Sequence, residues 1–310
     1  MYNIDLKSPL LLVLEVTNEC NLNCKYCYTK KRGEKSIFSI PFEILRDILL
    51  EAKELEIFDI NIAGGEPFLY PSILEVIELI KKLGFGLSMV TNATLITPEI
   101  AQRLKELDVI QYIQVSFDGH NEKIHNITRC DFARAFNGFK MLVEFADSIE
   151  MAPSVGIVIN KYNFRFLLDI INYFSFYTRR FHLMNVMLSP EFSLSFEEKK
   201  MLENEIIPKL HDLAVEKELI ISGIRTNKSF NEFLLQNIHI DCLAGFTMLV
   251  ISSSLQFYPC DIAPYYLGCY KGYGSIKQVY KYAKQLWKKR DKAWCEDFFI
   301  QPKLCCMYIK

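Results

Sequence analysis

Three cysteines stand in one short run: Cys20, Cys24 and Cys27 of ECNLNCKYCY, spaced Cys-x3-Cys-x2-Cys. With cysteine at about 3% of the chain, two more at fixed offsets from a given one arise by chance about once in a thousand. A closed structural zinc site takes four protein ligands, and this loop offers three. A four-iron cluster held by three cysteines keeps one iron without a protein ligand, and that iron can bind a small molecule directly. A thiolate zinc site and three packed cysteines are the alternatives, but packed cysteines seldom sit among Asn, Lys and Glu. A second group, Gly64-Gly65-Glu66-Pro67, pairs two glycines that let backbone approach a ligand with amide and carbonyl groups that can hold an ammonium or carboxylate.

Both motifs follow predicted strands. Hydrophobic periodicity predicts strands at 10–16, 59–63, 86–91, 110–117, 154–160 and 181–188. Helices are expected at 41–57, 71–83, 132–145 and 164–177, with another opened by the cap and fixed first turn of Thr97-Pro98. Six strand-helix units imply an α/β fold on a parallel sheet, either open and doubly wound or curled into part of a barrel, closed by a helix at 196–217. In any parallel arrangement the cysteine loop and the GGEP turn lie at the same end of the sheet. Beyond about Gly223 the alternation stops, leaving a hairpin (247–252 and 255–258), a helix at 275–289 and six of the ten cysteines. The expected division is a core at 1–222 and a small second domain at 223–310, packed together.

Composition narrows the function. The chain has 310 residues, room for about two domains. Half of it is hydrophobic and 24% is charged, which excludes a disordered or low-complexity protein. Lys and Arg number 36 against 37 Asp and Glu, so the overall basic excess of a nucleic-acid binder is missing. The longest apolar runs, 9–14 and 243–251, fall far short of the ~20 residues of a membrane span, so no membrane is expected. Asp5 and Lys7 lead into too few apolar residues for a signal peptide, which points to the cytoplasm. That compartment keeps thiols reduced, so ten cysteines ask for metal or redox chemistry.

With Tyr26 before the third cysteine, the loop resembles the signature of the radical S-adenosylmethionine (radical SAM) superfamily. The resemblance implies a partial (β/α)6 TIM-like barrel and a [4Fe-4S] cluster that gives one electron to bound S-adenosylmethionine. The resulting 5'-deoxyadenosyl radical takes a hydrogen atom from substrate. Gly64, Gly65, Glu66 and Pro67 match the motif that binds the cofactor's methionine amino group. Asn92 follows the third strand, and Ser116 and Asp118 in VSFDG match the family's ribose and carboxylate contacts. Arg129 sits where relatives carry Arg-Gly, here Arg129-Cys130, and suits the methionine carboxylate. Asn126 replaces an Asp of many relatives, and Asn160 is an adenine-contact candidate. Strand-end capping is the alternative role for each of these single residues.

The tail resembles the SPASM and shorter twitch domains of the same superfamily. CLAGFTMLVISSSLQFYPC, from Cys242 to Cys260, matches their Cys-x-Ala-Gly start and aromatic-Pro-Cys end, and further cysteines follow a helix. The count implies one auxiliary [4Fe-4S] cluster on Cys242, Cys260, Cys295 and one of Cys305 or Cys306. A zinc ribbon fits four distant thiolates equally well. Cys130 is read as a small buried hydrophobe; Cys269 is either that or a hydrogen-atom donor to a substrate radical.

This pairing implies an oxidoreductase that matures ribosomally made peptides by crosslink, thioether or epimerisation, fed by an external one-electron donor such as flavodoxin or ferredoxin. Cys20 lies too near the start for a preceding leader-recognition domain, so a separate peptide-recognition protein or direct capture is expected. Within enzymes the alternatives are dehydrogenation, epimerisation or rearrangement of a small alcohol or sugar, and maturation of another enzyme's side chain. Outside them stands a non-catalytic iron-sulfur or zinc protein, against which the accompanying GGEP argues.

Overall fold

The apolar run after Pro9 becomes β1 (Leu11–Thr17), with Leu12, Leu14 and Val16 fully buried on one face and Val13 and Glu15 on the other. The structure is a computed structural model that describes residues 5–32, 36–108, 110–148, 152–186, 188–223, 243–261, 263–289 and 294. From β1 the chain continues through β2 (Asp59–Gly64), β3 (Gly86–Thr91), β4 (Ile110–Ser116), β5 (Ser154–Ile159), β6 (Arg180–Asn185) and β7 (Ile220–Ser222). These seven strands pair in parallel and in sequential order.

The connecting helices are α1 (Tyr28–Lys31), α2 (Phe42–Glu54), α3 (Ile73–Leu83), α4 (Pro98–Leu107), α5 (Glu122–His125), α6 (Phe132–Glu144), α7 (Leu167–Phe174), α8 (Phe196–Met201) and α9 (Ile207–Glu216). Because each crossover turns the same way, successive helices pack beside one another: α2 on α3, α3 on α4, α4 on α6, α7 on α9. The main core lies between them and the sheet. Thr97 caps α4 as expected, accepting from the Ile100 N–H. The expected 196–217 helix carries a π turn at Leu202–Ile206, where Pro208, with no N–H, breaks the ladder.

The tail joins the same sheet. β8 (Met248–Ile251) pairs in parallel with β1, from Leu11↔Met248 to Leu14↔Ile251. β9 (Gln256–Tyr258) and β10 (Gly268–Cys269) follow antiparallel, giving the order β10-β9-β8-β1-β2-β3-β4-β5-β6-β7. The hairpin therefore extends the core sheet instead of forming one of its own. α10 (Ser275–Trp287) packs on α2, and the Tyr280 hydroxyl donates to the Phe246 carbonyl at 2.9 Å. Among the described residues no helix is long and apolar enough to cross a membrane.

Candidate active site at the cysteine loop

The loop leaves β1 at Thr17, whose Oγ1 donates to the Phe38 carbonyl and accepts from the Glu19 N–H. Cys27 is the N-cap of α1, and the Lys31 N–H donates to its carbonyl at 3.1 Å. The far end of α1 is fastened by a buried ion pair between Arg32 and Glu15 of β1. The Arg32 guanidinium also lies 4.9 Å from the Tyr258 ring centre, tying the loop to the tail. Cys20, Cys24 and Cys27 are half-buried free thiols that line one cavity of about 220 Å³, far more than a few waters fill.

Gly64 and Gly65 press against this loop. A Cβ at Gly64 would collide with the Thr17 carbonyl oxygen, and one at Gly65 with that of Glu19. The Gly65 and Glu66 N–H groups donate to those same two carbonyls at 2.7 and 2.8 Å. The close approach expected of the glycines is thus made first to the loop's own backbone. Glu66 is fully buried, its carboxylate accepting from Thr91 Oγ1 (2.6 Å), Asn92 N (2.8 Å) and Phe68 N (3.3 Å). Burial pushes its pKa up to about 7. Glu66 therefore joins the ends of β2 and β3, and its carboxylate does not line the cavity.

Asp118, after β4, is a second buried hub. Its carboxylate accepts from the Tyr26 hydroxyl, Thr128 Oγ1 (2.6 Å), Arg129 Nε (3.0 Å) and Val158 N (3.4 Å). Its N–H donates to His125 Nδ1 at 3.3 Å, while His125 Nε2 faces the Cys130 carbonyl at 3.2 Å. Burial depresses the His125 pKa to about 4, so the ring is neutral with its proton on Nε2. Arg129 lies over the Tyr26 ring, and both line the cavity.

Nine of the expected ligand and cofactor residues meet there: Cys20, Cys24, Tyr26, Cys27, Gly64, Gly65, Asn92, Ser116 and Arg129. Asn92 also donates to Asn21 Oδ1 at 3.0 Å and faces the Cys20 sulfur at 3.9 Å. Pro67, Asp118 and Asn160 do not line it. Pro67 opens a short 3-10 turn, and Asn160 folds into its own turn, donating to the Val158 carbonyl and accepting from the Tyr162 N–H. Cys260 is half-buried, its Sγ 3.2 Å from the Ala263 N–H. Cys269 lies on edge strand β10, three strands from β1 and outside the cavity lining, so its thiol is not brought to the site as a hydrogen donor there. Cys242, Cys295, Cys305 and Cys306 lie outside the described residues.

Among the lining residues that the sequence did not single out are Asn61 on β2, Gln114 on β4 and Asp261 after β9. The first two each stand between two apolar residues of their strand, a signal of an inward polar face.

Residues 14–163 match the family model of the Radical SAM superfamily. That stretch is a radical SAM domain. Mycofactocin maturase MftC of Mycobacterium tuberculosis is 30% identical over 155 residues, 50% of this chain and 38% of that protein. The chain spans well under half the length of that relative. SuiB of Streptococcus suis, solved bound to its precursor peptide SuiA, superposes with a TM-score of 0.64 at 19% identity, covering 82% of this chain and 60% of that one. The anSMEcpe structure with bound AdoMet gives 0.68 at 19% identity, covering 89% and 82%. The two structures share the fold.

A radical SAM domain works with a [4Fe-4S] cluster and S-adenosylmethionine, and the local chemistry suits both. Burial pushes the Cys24 thiol up to about 11 and raises that of Cys20, so thiolates there need a cation to bind. Among the described residues no three His, Cys, Asp or Glu side chains converge on a single metal ion. A cluster spreads its three cysteines over three irons and needs no such convergence. Arg129, pinned by Asp118, offers a fixed guanidinium for a carboxylate, and Ser116 and Asn92 offer neutral polar contacts.

Proposed function

We propose that this protein is a radical SAM oxidoreductase that modifies a ribosomally made peptide. The observation that carries the reading is the meeting of three free thiols, Arg129, Ser116 and Asn92 on one cavity at the C-terminal ends of a sequential parallel sheet. Cys20, Cys24 and Cys27 would hold the cluster, and Arg129, Ser116 and Asn92 would hold S-adenosylmethionine beside it. When bound, these groups supply one-electron cleavage of the sulfonium C–S bond and abstraction of a hydrogen atom from substrate.

The chain's own residues position and enclose. Asp118 fixes Arg129 and Tyr26 beside the cavity, and Glu66 ties β2 to β3. The reading takes the sheet as a partial (β/α)6 barrel and the tail as a twitch-like domain, with Cys260, Cys242, Cys295 and Cys305 or Cys306 for an auxiliary cluster. It also takes a flavodoxin- or ferredoxin-type electron donor and a separate recognition protein for the peptide.

Peptide substrates are favoured because the similar proteins include the PqqA peptide cyclase of Bradyrhizobium diazoefficiens, and the fold is shared with SuiB, crystallised with its precursor peptide. The test is anaerobic incubation with S-adenosylmethionine, reductant and the short peptides encoded beside the gene. A mass change in one peptide supports the reading. Turnover of sugar alcohols alone would overturn it.

A further inference from the structure

Below the proposed cofactor residues the cavity changes character. Gln114 lies two residues before Ser116 on the same face of β4, about 7 Å deeper along the strand. The side chain lines the cavity although the residue is only 5% exposed. Among the described residues its carboxamide makes no hydrogen bond to the protein, so its donor and acceptor both face the cavity. The position is built, because Gly156 of the next strand makes room for it. A Cβ at Gly156 would come within 2.5 Å of Gln114 Nε2 and 2.7 Å of Cδ.

The surroundings select the ligand. Gln114 pairs across the sheet with Val90 of β3 and Ser154 of β5, two strands without a charged residue, while the cavity's charged lining residues, Lys30, Arg129 and Asp261, lie outside the strands. Asn61 already spends its Nδ2 on Ser88 Oγ at 2.7 Å. A carboxamide both donates and accepts, so its best complement is another amide, which satisfies both functions at once. A carboxylate or phosphate beside Gln114 would meet no cation on either flanking strand.

We propose that Gln114 is the specificity residue of the chamber, hydrogen-bonding an amide of a peptide-type substrate and so presenting the adjacent carbon for hydrogen abstraction. The inference deepens the proposed function and rests on it. Holoenzyme, reductant and S-adenosylmethionine are mixed with a pool of perdeuterated N-acetyl amino-acid methylamides, and separately with the corresponding free acids. The quantity read is deuterium carried into each 5'-deoxyadenosine formed.

Wild type is expected to take deuterium from the methylamides in preference to the acids. Gln114→Leu should lower that ratio about tenfold, the worth of one neutral hydrogen bond. Gly156→Ala, which displaces the amide from its seat without removing it, should lower it in the same direction, and an unchanged melting temperature separates either effect from misfolding. Deuterium transfer equal to wild type in both variants, or transfer from the acids in preference, overturns the role of Gln114 while leaving the peptide reading intact. Wild type that forms no 5'-deoxyadenosine overturns the proposed function itself.

Discussion

Arg129 donates through Nε to Asp118 Oδ1 at 3.0 Å, and Asp118 is completely buried. The pair fixes a guanidinium in the cavity lining and, through the Tyr26 hydroxyl, the aromatic residue inside the cysteine loop. Removing the carboxylate strands a cation in a desolvated site. Asp118→Asn should cost about 3–5 kcal/mol of stability. Denaturant midpoints with S-adenosylmethionine titrations check this; a loss under 1 kcal/mol with unchanged affinity would contradict the hub role.

Gly65 sets the distance between the β2 end and the cysteine loop. Gly65→Ala places a methyl group against the Glu19 carbonyl, and the loop must move. Iron after anaerobic reconstitution should fall by at least about half, with far-ultraviolet circular dichroism unchanged. Full iron content would show that the loop tolerates the shift.

Glu66 gives a pH signature. Its folded pKa, about 7, is above the ordinary 4.5, so the stability it contributes is fully present below about pH 4.5 and lost as pH rises through 7. The contribution is on the order of 3 kcal/mol. Glu66→Gln should remove this decline, so the stability difference between variant and wild type should grow in the variant's favour from pH 4.5 to pH 8. Parallel stability profiles for the two proteins would contradict the assignment.

Glu51 of α2 caps a helix that is not its own. It accepts from the Lys277 N–H at 3.1 Å, in the first turn of α10, whose N-cap Gly274 makes no side-chain cap. Glu51→Ala should cost about 1 kcal/mol and speed proteolysis within α10. Equal cleavage rates would mean that packing against α2 alone holds the helix.

The sheet was legible because buried strands and amphipathic helices differ in period. β3, for one, runs over the expected residues 86–91. α1, α5, β7 and β10, of two to four residues, were too short to show a period, whereas the equally short β8 and β9 fall within the expected hairpin. The cysteine loop was legible from spacing alone. Side-chain direction was not: nothing in GGEP says that the Glu66 carboxylate turns toward Thr91, or that Asn160 closes its own turn. Asp261 was missed because its place depends on the tail hairpin pairing with β1, a contact between residues more than 230 apart.

If Cys20, Cys24 and Cys27 hold a cluster that cleaves S-adenosylmethionine, their loss must remove both iron and turnover. Iron, zinc and 5'-deoxyadenosine per chain are measured after anaerobic reconstitution for wild type and the Cys20, Cys24 and Cys27 triple Ala variant. About eight irons should fall to about four, with 5'-deoxyadenosine formed by wild type and abolished in the variant. Wild type that holds zinc in place of iron and forms no 5'-deoxyadenosine would rule the cluster out.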